Sequence, residues 1–178
     1  MIFGFTDPVK NIKELNLKND SFVADFGSGV GHYVFPLAEI LKDGGKVYAV
    51  DIQKDLLSKI KNEASEKHLD NVEVIWADLE SLGGSKIRSG SLDALIASNI
   101  LFQVEDKKAF CAECARVLKS GGRLFFIDWS DSFGGIGPAP GHVIKEENAK
   151  KIFSEEGFSL QKEIPAGAHH YGMIFVKN

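Results

Sequence analysis

Only two cysteines, Cys111 and Cys114, occur in the 178 residues, and both fall in one helical pattern. That excludes a disulfide framework. Long apolar runs are missing as well: none approaches the roughly 20 residues that span a bilayer. The opening stretch MIFGFTDPVK has neither the charged start nor the apolar segment of a signal peptide. There is no basic block. The net charge is −4 and the isoelectric point about 5.7, which speaks against a nucleic-acid backbone as the main partner. No internal repeat, low-complexity tract or domain boundary interrupts the chain. These absences lead to the expectation of a cytoplasmic protein, residues 1–178 forming a single domain, with neither membrane nor nucleic acid as partner. The 44% of hydrophobic residues is enough for a full-sized core.

What is present alternates. Asp7 and Pro8 read as N-cap and first helical residue, opening a short helix to about Leu15. Phe22–Phe26 is a short apolar run, as suits a strand buried on both faces. Val34, Leu37, Ala38 and Leu41 then fall at helical spacing. Pro36 implies that this helix starts late or bends. Strands are expected at Lys46–Asp51, Val72–Ala77, Leu92–Ala97 and Arg123–Asp128, with helices at Gln53–Glu66 and Glu105–Leu118. Gly121 and Gly122 read as the stop of the second of these helices. A long loop, Trp129–Val143, carries four glycines and two prolines and is too long for a simple connector. A helix, Lys145–Glu156, and two strands, Phe158–Ile164 and Tyr171–Lys177, close the chain. The link between those strands is so short that they must be antiparallel. The fold class is α/β: a Rossmann-like, doubly wound, mostly parallel seven-stranded sheet with a C-terminal antiparallel pair and helices on both faces.

The stretch Val23–Tyr33, VADFGSGVGHY, follows an apolar strand with glycines at every second position, Gly27, Gly29 and Gly31. Glycine lets a backbone turn sharply and approach a ligand, and the helix that follows offers free N–H groups. A dinucleotide loop of the form G-x-G-x-x-G needs glycine at position 32 or 34, where this chain has His32 and Val34. Asp25, Asp51, Asp78, Asn99 and Asp128 all lie at or just past the end of a parallel strand. That is the edge where ligands bind in such sheets. Asp also caps helices, so each alone is ambiguous; together they favour a site.

These residues resemble the class I S-adenosylmethionine (SAM)-dependent methyltransferases. Asp25-Phe-Gly27-Ser28-Gly29-Val-Gly31 looks like the family's first motif. Asp51, 20 residues after Gly31, resembles its ribose-binding acid, and Asp78 in WADLE the acid near the adenine amino group. Ser98–Asn99 in ALIASNILF is similar to the fourth-strand motif beside the transferred methyl. The stretch from Arg116 to Leu124 resembles the family's "RVLKPGG" segment, with Ser120 where proline is common. The resemblance runs from about Leu15 to the C-terminus. Its nearest branch methylates small molecules and includes ubiquinone/menaquinone C-methyltransferases and arsenite methyltransferases. It implies SAM as cofactor, a small-molecule acceptor, and cofactor contacts from Asp25, Gly27, Ser28, Gly29, Gly31, Asp51, Ile52, Asp78, Leu79, Ser98 and Asn99. A SAM-binding protein without catalysis, or a nicotinamide-dependent oxidoreductase, are the alternatives.

No catalytic residue is assigned by the motifs, and no metal site is expected. His169 and His170, after the last turn, are candidate bases near neutral pH, or plain hairpin residues. His32 either contacts the cofactor or caps its helix, and His142 reads as surface. Trp129 and Phe133 either stack on an aromatic acceptor or anchor their loop. Phe3 and Phe5 form a lid or a hydrophobic staple. Cys111 and Cys114 read as core, unlike the arsenic-holding cysteines of arsenite methyltransferases.

Overall fold

The computed structural model describes residues 7–178, so the expected role of Phe3 and Phe5 lies outside the described residues. The chain runs α1 (Pro8–Lys13), β1 (Phe22–Phe26), α2 (Val34–Ile40), β2 (Lys46–Asp51), α3 (Lys54–Glu66), β3 (Val72–Trp76), β4 (Leu92–Ser98), α4 (Lys107–Val117), β5 (Leu118–Trp129), α5 (Glu146–Glu155), β6 (Phe158–Ile164) and β7 (His170–Lys177). The strands form one sheet in the order β3-β2-β1-β4-β5-β7-β6. Pairs from β3 across to β5 are parallel, and β7 runs antiparallel to both β5 and β6. The expected sheet is the one that forms. Because β7 opposes both neighbours, β6 runs with β5. The turn 165–169 therefore lies at the edge where β1, β2, β4 and β5 end.

Each central strand feeds two cores, because successive side chains point to opposite faces. Ala24, Phe26, Leu95, Ala97, Leu124 and Phe126 face one side, under Phe110 and Cys114 of α4 and Phe153 of α5. Val23, Ala94, Ile96, Phe125 and Ile127 face the other, under Leu37 of α2 and Ile60 of α3. Continuous burial on both faces explains why these strands read as unbroken apolar runs. Phe126 is fully buried and meets the ring of Phe153 edge-on, with centroids 5.0 Å apart. Cys111 and Cys114 are free and buried in the same core, and burial pushes both thiols well up. They are packing residues, as expected. Among the described residues no helix is long and apolar enough to cross a membrane.

Helix ends follow local chemistry. Asp7 accepts from Lys10 N (3.1 Å) and Asp106 from Ala109 N (2.9 Å), each satisfying one N–H that has no partner inside its helix. Of the two alternatives for Pro36 the helix takes the late start. It begins at Val34, so Pro36 falls in the first turn, where an N–H has no partner inside the helix. One local expectation needs correction: Gly121 and Gly122 do not end α4. The helix stops at Val117 with Leu118 already extended. The glycines belong instead to a bulge. Leu92 pairs with Leu118 and Ala94 with Arg123, so residues 119–122 stand opposite Asp93 alone. Gly121 supplies the left-handed turn there (φ +76°).

Candidate functional site

The glycine stretch leaves β1 and is tied at once to the end of β2. Gly27 N and Ser28 N both donate to Val50 O, at 2.9 and 3.1 Å, and Gly31 N donates to Ser28 O at 2.8 Å. All three glycines have positive φ, +75°, +54° and +89°, which a side chain would strain. Space makes a second demand. A Cβ on Gly27 would come within 2.5 Å of Ile100 Cδ1, and one on Gly31 within 2.8 Å of Phe35 Cε2. A Cβ on Gly29 would meet nothing nearer than 4.0 Å. That glycine keeps its backbone bare toward open space, as close approach of a ligand requires.

Asp51 completes the loop. One carboxylate oxygen accepts Gly29 N at 2.9 Å and the other Gln53 N at 2.8 Å. A carboxylate has about four lone-pair sites, so acceptor capacity remains for ligand hydroxyls. Asp25 is buried behind it. Burial first, and then the charge of Asp51, push Asp25 up to about 7. Asp78, exposed past the end of β3, accepts Glu80 N at 2.9 Å. Ile52 is held from behind, because Trp76 Nε1 donates to its carbonyl at 2.9 Å. The Trp76 ring is itself flanked by Lys54 Nζ at 4.1 Å and Lys86 Nζ at 5.3 Å.

A half-open cleft of about 280 Å³ lies above these strand ends. Of the residues expected from sequence, Gly27, Gly29, Asp51, Ile52, Asp78, Leu79 and Asn99 line it. Asp25, Ser28, Gly31 and Ser98 do not. Ser28 Oγ is buried without a hydrogen-bond partner. Asn99 takes the left-handed conformation (φ +56°) and donates its backbone N–H to Ile127 O at 2.8 Å. Its Oδ1 is likewise buried and unpartnered. Buried polar atoms without partners are rare, and one at the cleft wall marks a place where a ligand donor fits.

The segment after β4 was missed. Ile100, Gln103 and Val104 line the cleft beside Gln53, Ala77 and Glu80. Gln103 Nε2 donates to Asn99 O at 2.8 Å, and Glu80 accepts Asp106 N at 2.6 Å. The apolar run on from Asn99 was the available signal. Asp128 sits outside the cleft lining and organises this segment instead. It accepts Phe102 N at 3.2 Å and Trp129 N at 2.9 Å. Burial pushes it up to about 6, opposed by those amides and Leu101 N.

Of the remaining candidates, His32 is exposed, and α2 has Tyr33 as N-cap without a side-chain capping bond. Trp129 is buried, packs on His170 with ring centroids 4.3 Å apart and lies against Gly137. It anchors the long loop. His169 meets Asp131 and Phe133, described further below. No group of three or more metal-ligating side chains occurs among the described residues.

The reversal of strand order between β1 and β4, with a glycine loop and an acid held over it, defines a Rossmann-like nucleotide-cofactor fold. Residues 17–169 match the family model described as "Methyltransferase domain", and the chain belongs to that family. A SAM-dependent methyltransferase from Aquifex aeolicus superposes with a TM-score of 0.88 at 26% identity, covering 98% of this chain and 91% of that one. The arsenite methyltransferase of Homo sapiens is 31% identical over 118 residues, 60% of this chain. The aklanonic acid methyltransferase DauC of a Streptomyces species is 31% identical over 104 residues, 58% of this chain. The chain spans 30% of the length of the human enzyme and 46% of DauC.

Proposed function

We infer that the chain is a SAM-dependent methyltransferase acting on a small molecule in the cytoplasm. The observation that carries this is Asp51 clasping Gly29 N while spare carboxylate acceptor sites remain at the cleft. Vicinal ribose hydroxyls have the matching donors. Ile52 and Leu79 offer apolar walls for a purine, and Asp78 offers an acceptor to an exocyclic amine. The bare backbone at Gly27 and Gly29, with Asn99 Oδ1, accommodates the amino-acid end. A phosphate-bearing cofactor fits less well, because Asp51, Asp78 and Glu80 put carboxylates around the cleft. The same acidity goes against a nucleic-acid partner.

Bound there, the sulfonium of SAM supplies an activated methyl group. The protein supplies position. Asp51 fixes the nucleoside, the 27–31 loop fixes the chain leading to sulfur, and the Asn99–Val104 segment closes the wall next to the acceptor side. Thermal melts test the reading. A ligand at 100 times its Kd adds about 2.7 kcal/mol, roughly 5–10 °C for a domain of this size. SAM and S-adenosylhomocysteine are expected to raise the melting temperature by that order, and NAD is expected to leave it unchanged. Stabilisation by NAD alone would remove the reading.

A further inference from the structure

Beyond the cofactor cleft, one cluster has the make-up of a chemical site. His169 Nδ1 lies 2.9 Å from both carboxylate oxygens of Asp131. The Phe133 ring stacks on the imidazole with centroids 3.9 Å apart and planes 21° from parallel. The two halves come from separate elements, the loop after β5 and the turn before β7, joined by Ser130 N donating to His169 O at 2.8 Å. His169 is in the left-handed conformation (φ +63°), which is uncommon without a glycine. A carboxylate at Nδ1 takes that nitrogen's proton as a hydrogen bond. The neutral ring is then the tautomer with its basic lone pair on Nε2.

The dyad stands on the ligand edge of the sheet. Asn99 follows β4 at the cleft, β5 comes next, and His169 precedes β7 on its far side. With β5 between them, β4 and β7 stand two strand spacings apart, about 10 Å, so the dyad and Asn99 share one edge at a distance that a ring lying across the end of β5 spans. Asp128, through Phe102 N and Trp129 N, ties the cleft wall to the strand end that leads into Asp131. Phe133 and Ile136 remain exposed on this loop, at 43% and 63%, giving a flat apolar wall beside a base.

We propose that His169, oriented by Asp131, is the general base for methyl transfer, and that the acceptor is a planar molecule with a weakly acidic hydroxyl, a phenol or an enol. The proposal rests on the methyltransferase reading above. An oriented base is needed only when the nucleophile begins protonated. Thioether or arsenite acceptors bring a free lone pair and would leave the dyad without a task. In the step, the acceptor O–H gives its proton to Nε2 of His169. The oxygen's electron pair forms the new O–CH3 bond (or the enol's carbon forms C–CH3). The methyl carbon–sulfur bond breaks with its pair kept by sulfur, which becomes a neutral thioether. The imidazolium then returns its proton to water.

The test uses the whole chain with catechol and acetylacetone, a planar enol, as probes, both protonated near neutral pH. Calorimetry with S-adenosylhomocysteine comes first: no binding removes the methyltransferase reading itself. With that ligand saturating, the His169 Hε1 signal, assigned by its loss in His169→Gln, is expected to shift on adding a probe. Under turnover with SAM, His169→Ala is expected to lower kcat by about 10²–10³-fold, with the KM for SAM unchanged. Asp131→Asn should lower kcat about 10-fold. Imidazole in the buffer should restore part of the lost rate to His169→Ala, where it has a cavity to enter, and none to His169→Phe. Wild-type rates in His169→Ala, or a loss that imidazole does not repair, would overturn the role of His169 alone. Wild-type protein that binds S-adenosylhomocysteine but neither shifts with nor methylates either probe would overturn the acceptor class.

Discussion

Asp51→Ala is expected to weaken S-adenosylhomocysteine binding by about 100-fold while the unliganded protein still folds. Hydrogen bonds to a charged acceptor contribute about 1.5–3 kcal/mol each, and two ribose hydroxyls on one carboxylate exceed the roughly 2.7 kcal/mol that 100-fold requires. The variant also loses the bond that holds Gly29 N and the one that holds Gln53 N. Stability has an opposing gain, because Asp51 is a charge next to buried Asp25 and helps to push it up to about 7. Removing that repulsion offsets part of the lost anchoring. Isothermal calorimetry gives the affinity and a melt gives the fold. A variant that binds like wild type would show that the ribose lies elsewhere.

Glu113→Ala is expected to lower stability by about 3–5 kcal/mol, the range for removing one partner of a buried ion pair. Glu113 is fully buried on α4. It accepts Arg116 Nε at 2.7 Å, Gly83 N at 2.6 Å, Ser85 N at 3.0 Å and Ser85 Oγ at 2.5 Å. Arg116 also reaches Ser89 Oγ at 2.9 Å. Without the carboxylate, a partly buried guanidinium and two backbone amides of the 83–85 segment lose their partner together. Burial alone would raise this acid, but the Arg116 guanidinium, the Ser85 hydroxyl and the two amides outweigh it and hold it at about 2. A lowered carboxylate stabilises the fold above its ordinary range near pH 4.5, and that contribution disappears as the pH falls toward 2. The difference in unfolding free energy between wild type and Glu113→Ala, measured by urea titration, should therefore be full at pH 7 and shrink between about pH 4.5 and 2. A difference that stays constant across that range would mean that packing, not charge, is what Glu113 provides.

The strands were legible because their burial is simple. Phe22–Phe26 and Lys46–Asp51 are read from the sequence with the bounds they have in the fold. The α4–β5 junction was not, because a Gly–Gly pair after a helical stripe is a common helix stop. Only the pairing of Leu118 with Leu92 turns it into a bulge. The cofactor loop and Asp51 were readable as motif, since glycine spacing states where a backbone must stay bare. Arg116 stands in a stretch that resembles a family motif, and its work is structural. Its partner Glu113 sits three residues earlier, a spacing that brings side chains together on a helix. Ser85 lies 28 residues from Glu113, and Asp131 lies 38 from His169. No local pattern links such pairs; only the sheet order does. Gln103 and Ile100 were missed for a similar reason, because their role comes from the direction of the chain after Asn99.

The adenosyl cofactor is expected in the cleft over β1, β2 and β4. An amide-resolved NMR titration with S-adenosylhomocysteine tests it most directly. The expected result is a set of saturable shifts centred on Gly27, Gly29, Ile52, Leu79, Asn99 and Gln103, with the β6–β7 pair away from the ligand edge unmoved. Shifts centred elsewhere, or none at saturating ligand, would contradict it.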